Sequence, residues 1–338
     1  TIGWPIRSHG NTYNCVAVIK DRKIHGITAK QFLANDGVHY EPRWFTPWKA
    51  GETMDYHFHG KTVLLGDLTY NLYGVRTGFE ICEDAWHEDR PAERLKEIQL
   101  ILNPSASHFA FGKSLLRENL VVGSSKKYSC YYIYPNLLGN EAGRMIYDGE
   151  IMIAGHGKLI HFNEKLSFKN VNLLSAEIDP ADANPDTVYS SMPPENKNEI
   201  FAQAESLALF DYLRKSHSKG FVLSLSGGAD SSCCAVLVAE MVRRGVAELG
   251  VEEYLRKLHK EYMIERVKGL KTHDTELIQT YARQFPLMLG YGVTLENANE
   301  IVPALQLKGI SLRGAAEIRP GYKDFDEMAE ILEALEID

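Results

Sequence analysis

The sequence predicts two α/β domains in series, the second built on a doubly wound parallel sheet. Three observations lead there. Residues 221–238 run from a short apolar strand through glycines, serines and an acid directly into a helix, the opening of a doubly wound unit. Residues 11–180 alternate short β-rich runs with helical stretches, the pattern of a layered α/β domain rather than an all-β sandwich. Residues 179–198 are rich in Pro, Asp, Asn and Ser without apolar periodicity, as a linker is. The expected division is a first domain at 1–180, a linker at 181–198 and a second domain at 199–338.

Composition narrows the function. At 338 residues the chain exceeds one ordinary core. Its 44% hydrophobic and 24% charged content is that of a globular protein. A net charge of −8 argues against a nucleic-acid partner. No apolar run reaches the roughly 18 residues of a membrane helix, and the first ten residues do not read as a signal peptide. Five cysteines without C-x-x-C spacing argue against a disulfide framework or structural zinc, so a cytoplasmic location is expected.

In the first domain, strands are expected at 14–19, 23–27, 77–82, 99–102, 130–134, 150–153 and 171–178. Turns fall at 35–37, 103–104 and 148–149, and helices at 91–97 and 113–125. Three stretches carry chemistry. In GFEICEDAW (78–86), Cys82 falls at a strand end, where nucleophiles tend to sit. Its neighbours Glu80, Glu83 and Asp84 make purely apolar burial awkward, because buried carboxylates need partners. In KQFLANDGVHYEPRWF (30–45), a lysine near the thiol would lower its pKa and hold developing negative charge. Taken alone, Lys30 reads as an ordinary exposed loop lysine. NPSASHFAFGK (103–113) follows a strand end with small polar residues, which could line a pocket or simply turn the chain. His57 and His59 alternate as on a hairpin surface and lack further spaced ligands.

The second domain opens with a helix at 199–215, carrying Ile200, Ala204, Leu207 and Phe210 or Leu213 on one face. The loop SGGADSS (226–232) then meets a helix start. Free N–H groups and the positive end of the macrodipole favour an oxyanion there. Gly227 and Gly228 allow a positive φ and close approach, Ser226, Ser231 and Ser232 add hydroxyls, and Asp230 can cap the helix or hold a metal ion. There is no Lys-Ser/Thr after the glycines and no G-x-G-x-x-G, so two common phosphate loops are excluded. Cys233 and Cys234 are expected to pack rather than do redox chemistry.

SLSGGADSS resembles the pyrophosphate loop of the ATP pyrophosphatase superfamily, whose members adenylate a substrate and let an amine displace the AMP. The 30–45, 78–86 and 103–113 stretches together resemble the nitrilase superfamily. That likeness implies an αββα sandwich, with Cys82 as nucleophile, Lys30 as catalytic lysine and Glu41 as a further glutamate near the site. The family's general base is a glutamate before the lysine. Residues 1–29 contain none, so a leading segment is expected to supply it.

The pairing of the two parts resembles the glutamine-dependent NAD synthetases, a nitrilase-like sandwich followed by a Rossmann-like ATP pyrophosphatase domain. The resemblance implies ATP–Mg²⁺-dependent amidation of nicotinic acid adenine dinucleotide (deamido-NAD) with ammonia cut from glutamine. It implies glutamine contacts at Glu83, Ser107 and Lys113. ATP would lie on Ser226, Gly227, Gly228, Asp230, Ser231 and Ser232, with Asp230 also at the metal. It further implies small-molecule substrates and a homo-oligomer. The likeness thins after about residue 250, where TLEN (294–297) and AAEIRP (315–320) echo the synthetase domain and intervening segments are expected to be omitted. Two other readings stay open: an amide hydrolase with a decayed nucleotide domain, and a non-catalytic nucleotide-binding protein.

Overall fold

The computed structural model describes residues 1–141, 145–180 and 189–264, with isolated positions and short strand pieces beyond. Five strands form the first sheet: β1 (Ile2–Ser8), β2 (Asn11–Lys20), β3 (Lys23–Ala29), β4 (Thr53–Phe58) and β5 (Lys61–Gly66), in the order β1-β2-β3-β5-β4. Period-two alternation sorts β2 onto two cores. Cys15 and Ala17 join Ile6, Ile27, Ala29 and Leu65 beneath Trp48 on one side. Val16 and Val18 face the other way, onto Tyr70 and Phe79 of the second sheet and Ile81 just past it. This contact is the sheet-on-sheet core, and each fully buried aliphatic or aromatic side chain in it contributes about 1.5–3 kcal/mol. His57 and His59 lie on and beyond β4, at the hairpin to β5, as expected; His57 Nδ1 is 3.0 Å from Thr62 Oγ1.

The second sheet contains β6 (Tyr70–Leu72), β7 (Val75–Phe79), β8 (Leu100–Leu102) and β9 (Tyr131–Pro135). After the hairpin of β10 (Leu138–Glu141) and β11 (Met145–Asp148), it continues with β12 (Ile151–Gly155) and β13 (Lys158–Phe162). Helix α1 (Lys113–Lys127) lies over one face, where Val121 packs with Ile101, Tyr132, Tyr134 and Met152. Helix, sheet and sheet are thus three successive layers, in the αββα order expected. β7, β8 and β9 run parallel, so their carboxyl ends open onto one edge, where ligands of α/β sheets bind.

Several expected elements end differently. The strand expected at 77–82 stops at Phe79, and Cys82–Trp86 forms a 3₁₀ turn. The turn forms because the Asp84 carboxylate accepts from the Ile81 N–H at 2.9 Å, taking that donor away from a ladder. The helix expected at 91–97 shrinks to a 3₁₀ turn, Pro91–Arg94. Residues 171–178 make no β-ladder. Their alternation still packs the half-buried Leu174, Ala176 and Ile178 against Tyr131, Ile153 and Ile160, so the pattern reported packing without pairing.

The chain clusters into two compact units, Thr1–His259 and Lys260–Asp338. Within the first, α2 (Lys197–Lys215) starts at Asn196, whose side chain accepts from the Asn198 and Glu199 N–H groups. Ile200, Ala204, Leu207, Phe210 and Leu213 are all buried, as the periodicity requires. Gly139 at β10 leaves room for Asp211, which accepts from the Asn140 N–H at 2.7 Å. Phe210 packs edge-on against Phe168 and at a tilt against Tyr254 of α4 (Val251–Lys257). Helix α3 (Ala229–Leu249) follows the serine-rich loop.

The strand expected at 221–225 is not formed: the segment joins no ladder among the described residues, and Val222 and Leu225 are exposed. A strand is defined by its neighbours, and none described pairs with this one. Cys233 and Cys234 are likewise exposed rather than packed, because α3 buries Met241 and Gly245 instead. TLEN and half of AAEIRP lie outside the described residues; the other half is the strand piece Glu317–Arg319. Among the described residues, no helix is long and apolar enough to cross a membrane.

Candidate active site and phosphate loop

Cys82 sits just beyond β7 with φ +51, a strained conformation for a residue with a Cβ. Its backbone N–H donates to the Asn103 side-chain oxygen (3.2 Å) and the Pro104 carbonyl (3.1 Å), both just past β8. The Ala106 N–H is directed at the sulfur. Asn103 is itself fixed by donating to Tyr132 Oη at 2.8 Å. That hydroxyl donates at 2.8 Å to Glu80, which also takes Arg90 Nε at 2.7 Å and the Ala92 N–H at 3.0 Å. The buried Glu80 carboxylate therefore has the partners its position demands, and the network locks the turn that presents the thiol.

Lys30 follows β3 on the facing sheet. It is fully buried, and its Nζ donates to Glu41 Oε2 at 2.5 Å. Glu41 also accepts from Asn14 Nδ2 (2.9 Å) and the Ala34 N–H (2.7 Å). With three donors on it, Glu41 is built to position the lysine. Asp84 joins the two halves: it accepts from the Gln31 (2.9 Å) and Phe32 (2.7 Å) N–H groups beside the lysine, and from Ile81 beside the cysteine. Burial pushes its carboxyl up to about 7 against those bonds.

Burial raises the Cys82 thiol above its ordinary value, while the Lys30 ammonium and the Ala106 N–H pull it down and Glu41 and Glu83 add to the rise. The resting sulfur is thus a thiol that needs a base. Alkylation of Cys82 by iodoacetamide, followed on its own peptide because Cys233 and Cys234 are exposed, is expected to speed up with pH beyond about 8.5. Lys30→Met would move the curve higher, since a lost cation disfavours the thiolate. A plateau below the ordinary thiol range would contradict this.

The residues assigned to glutamine surround this edge. Ser107 donates its N–H to Asn136 Oδ1 (2.8 Å), while its carbonyl and hydroxyl accept from Arg117 Nη2 (3.0 and 3.2 Å). Lys113 opens α1 in electrostatic reach of Cys82. Burial lowers its pKa, as does Arg117. Glu83 lies 3.5 Å from His87. Arg117, Asn136, Asp148 and Glu150, which frame Ser107 from behind, were not legible as site residues. The acids of the Asp-Gly-Glu turn at 148–150 were their available signal.

The loop at 226–232, expected to hold phosphate, is a separate, exposed feature. Gly227 has φ +80 and Gly228 takes the N-cap position of α3, without a side-chain hydrogen bond to the helix end. Ser226 Oγ and Ser231 Oγ lie 3.3 Å apart, and Ser231 donates to the Gly228 carbonyl at 3.1 Å. Asp230 and Ser232 are exposed. An uncapped helix start ringed by hydroxyls suits an oxyanion.

The family model described as NAD synthase matches residues 201–265, which include the loop. The chain is 45% identical to a glutamine-dependent NAD(+) synthetase of Cytophaga hutchinsonii of known structure, with a TM-score of 0.71 over 92% of this chain and 50% of that one. It is 31% identical over 287 residues to the Homo sapiens glutamine-dependent NAD(+) synthetase, covering 71% of this chain and 41% of that protein. A putative glutamine-dependent NAD(+) synthetase of Schizosaccharomyces pombe is 29% identical over 293 residues, 72% of this chain and 42% of that protein. The chain therefore spans about half the length, or less, of the relatives it matches. These likenesses place the chain in the glutamine-dependent NAD(+) synthetase family.

Proposed function

We propose that the chain acts in glutamine-dependent synthesis of NAD, with residues 1–180 as the glutaminase part, 181–198 as linker and 199–338 contributing to the synthetase part. The observation that carries this is the convergence of Cys82 and the buried Lys30–Glu41 pair across the two sheets. Cys82 Sγ attacks the side-chain amide carbon of glutamine, and the C–N bond breaks. The thiol proton ends on the departing nitrogen, which leaves as ammonia. Water then cleaves the thioester and releases glutamate. Lys30 stabilises the oxyanion of each tetrahedral intermediate. Ser107, Glu83 and Lys113 hold the substrate's amino acid end.

In the second half-reaction, ATP binds on Ser226–Ser232 and adenylates the carboxylate of deamido-NAD. Pyrophosphate leaves on the loop, and ammonia displaces AMP. Asp230 offers an exposed carboxylate beside the uncapped N-terminus, a hard oxygen donor that fits Mg²⁺. When bound, that ion would neutralise phosphate charge. A cytoplasmic enzyme that works as a homo-oligomer fits this reading.

The test is NAD formation by the full chain from deamido-NAD and ATP–Mg²⁺, with glutamine or ammonium as donor and glutamate release followed in parallel. Synthesis with both donors is expected. Glutamate release with no NAD from either donor would leave an amide hydrolase, and neither product would overturn the proposal.

A further inference from the structure

Three side chains with no part in this reaction meet beside the Cys82 turn. Asp36 and His39 come from the loop after β3, and His108 from the loop after β8. His39 Nε2 and His108 Nδ1 are 3.1 Å apart although 69 positions separate them in sequence. One ligand atom from each of the three residues lies within 4.8 Å of the others. Two imidazoles and a carboxylate, partly exposed, are a donor set for Zn²⁺ and its neighbours, with a fourth position left open.

The geometry is held in place from behind. Asp36 Oδ1 accepts from the N–H groups of Val38 (3.1 Å) and His39 (2.7 Å), which fixes the carboxylate and leaves its second oxygen for a ligand. The His108 carbonyl accepts from Arg117 Nη2 at 3.1 Å, and His108 bridges to Tyr147. Such outer contacts orient metal-binding side chains. A bare histidine–histidine hydrogen bond would need neither the anchored carboxylate nor its free oxygen.

The location gives the cluster a consequence. His39 is two residues from Glu41, which holds Lys30, and His108 is two from Ala106, whose N–H is directed at the Cys82 sulfur. Lys113 Nζ lies 3.3 and 3.4 Å from the two ring nitrogens of His108. That ammonium and a divalent cation cannot share the ring. We propose that Asp36, His39 and His108 form a site for a divalent transition-metal ion, of the Zn²⁺ class, beside the Cys82 turn. Filling it displaces Lys113 and hinders glutamine. The inhibitory consequence, unlike the binding itself, rests on the glutaminase reading above.

Binding is tested by titrating the full chain with Co²⁺, read by its visible absorption, and with Zn²⁺ by calorimetry. Cys82, Cys233 and Cys234 are replaced by serine so that no thiol at these positions competes. One ion per chain is expected. His39→Ala and His108→Ala should each weaken it by about tenfold or more, Asp36→Asn should weaken it less, and the hairpin control His57→Ala should not. No one-to-one binding, or binding indifferent to both histidine variants, would overturn the site. In the wild type, Zn²⁺ should raise the KM for glutamine, and His39→Ala should remove that effect. Binding without it would overturn the inhibitory role. An absence of glutamine hydrolysis would count against the glutaminase reading, while the titration would still decide the metal site.

Discussion

Cys82→Ala is expected to lower glutamine hydrolysis by about 10⁴-fold or more, the scale on which removing a covalent nucleophile acts. Nucleotide binding at 226–232 should be unchanged, because Cys82 belongs to a different part of the chain. The alanine also relieves nothing, since the φ of +51 is imposed by the Asn103 and Pro104 bonds and would be kept. Lys30→Met should cost less, on the order of 10²–10³-fold, as loss of one oxyanion donor does. It would show in kcat, because the lysine has no substrate group to hold before charge develops. Glutamate release measured for the two variants, with ADP binding as control, checks the order. Hydrolysis by Cys82→Ala within tenfold of wild type would sink the assignment of the nucleophile.

The parts of this site that were legible in the sequence are those defined by local chemistry. A cysteine placed between acids at a strand end, a loop of glycines and serines before a helix, and an apolar stripe along 199–215 all announce themselves within a few residues. Asn196 as the cap of α2 and the buried face from Ile200 to Leu213 follow from the same local rules. What was not legible depends on partners far away in sequence. The acids around Cys82 signalled that Glu80 needs a partner, but nothing near it named Arg90 and Tyr132. The His39–His108 contact joins a loop after β3 of the first sheet to a loop after β8 of the second, which only the packing of the two sheets brings together. Residues 171–178 show the converse: alternation records which side chains are buried, and a ladder needs a neighbour that alternation does not supply. The same holds for 221–225, where the composition is that of a strand and the pairing is absent among the described residues.

Arg117→Met is expected to destabilise the first compact unit by about 3–5 kcal/mol, the cost of leaving a buried ion pair half empty. Arg117 is fully buried and donates to Asp148 Oδ2 (2.5 Å) and Glu150 Oε2 (2.8 Å), which are equally buried. Truncation leaves two carboxylates with no guanidinium, and Lys165, 3.6 Å from Glu150, cannot compensate both. Urea unfolding of the variant measures the loss. The triple variant Arg117→Met, Asp148→Asn, Glu150→Gln separates charge from packing: it should recover much of the stability, because the stranded charges are gone. A triple variant no more stable than the single one would show that the arginine acts through packing. The recovered protein should still handle glutamine poorly. Arg117 Nη2 also holds the Ser107 carbonyl and hydroxyl and the His108 carbonyl, so restoring charge balance does not restore the loop. A raised KM for glutamine in a stable triple variant is therefore the expected signature of Arg117 as a positioning residue, and an unchanged KM would reduce it to a structural one.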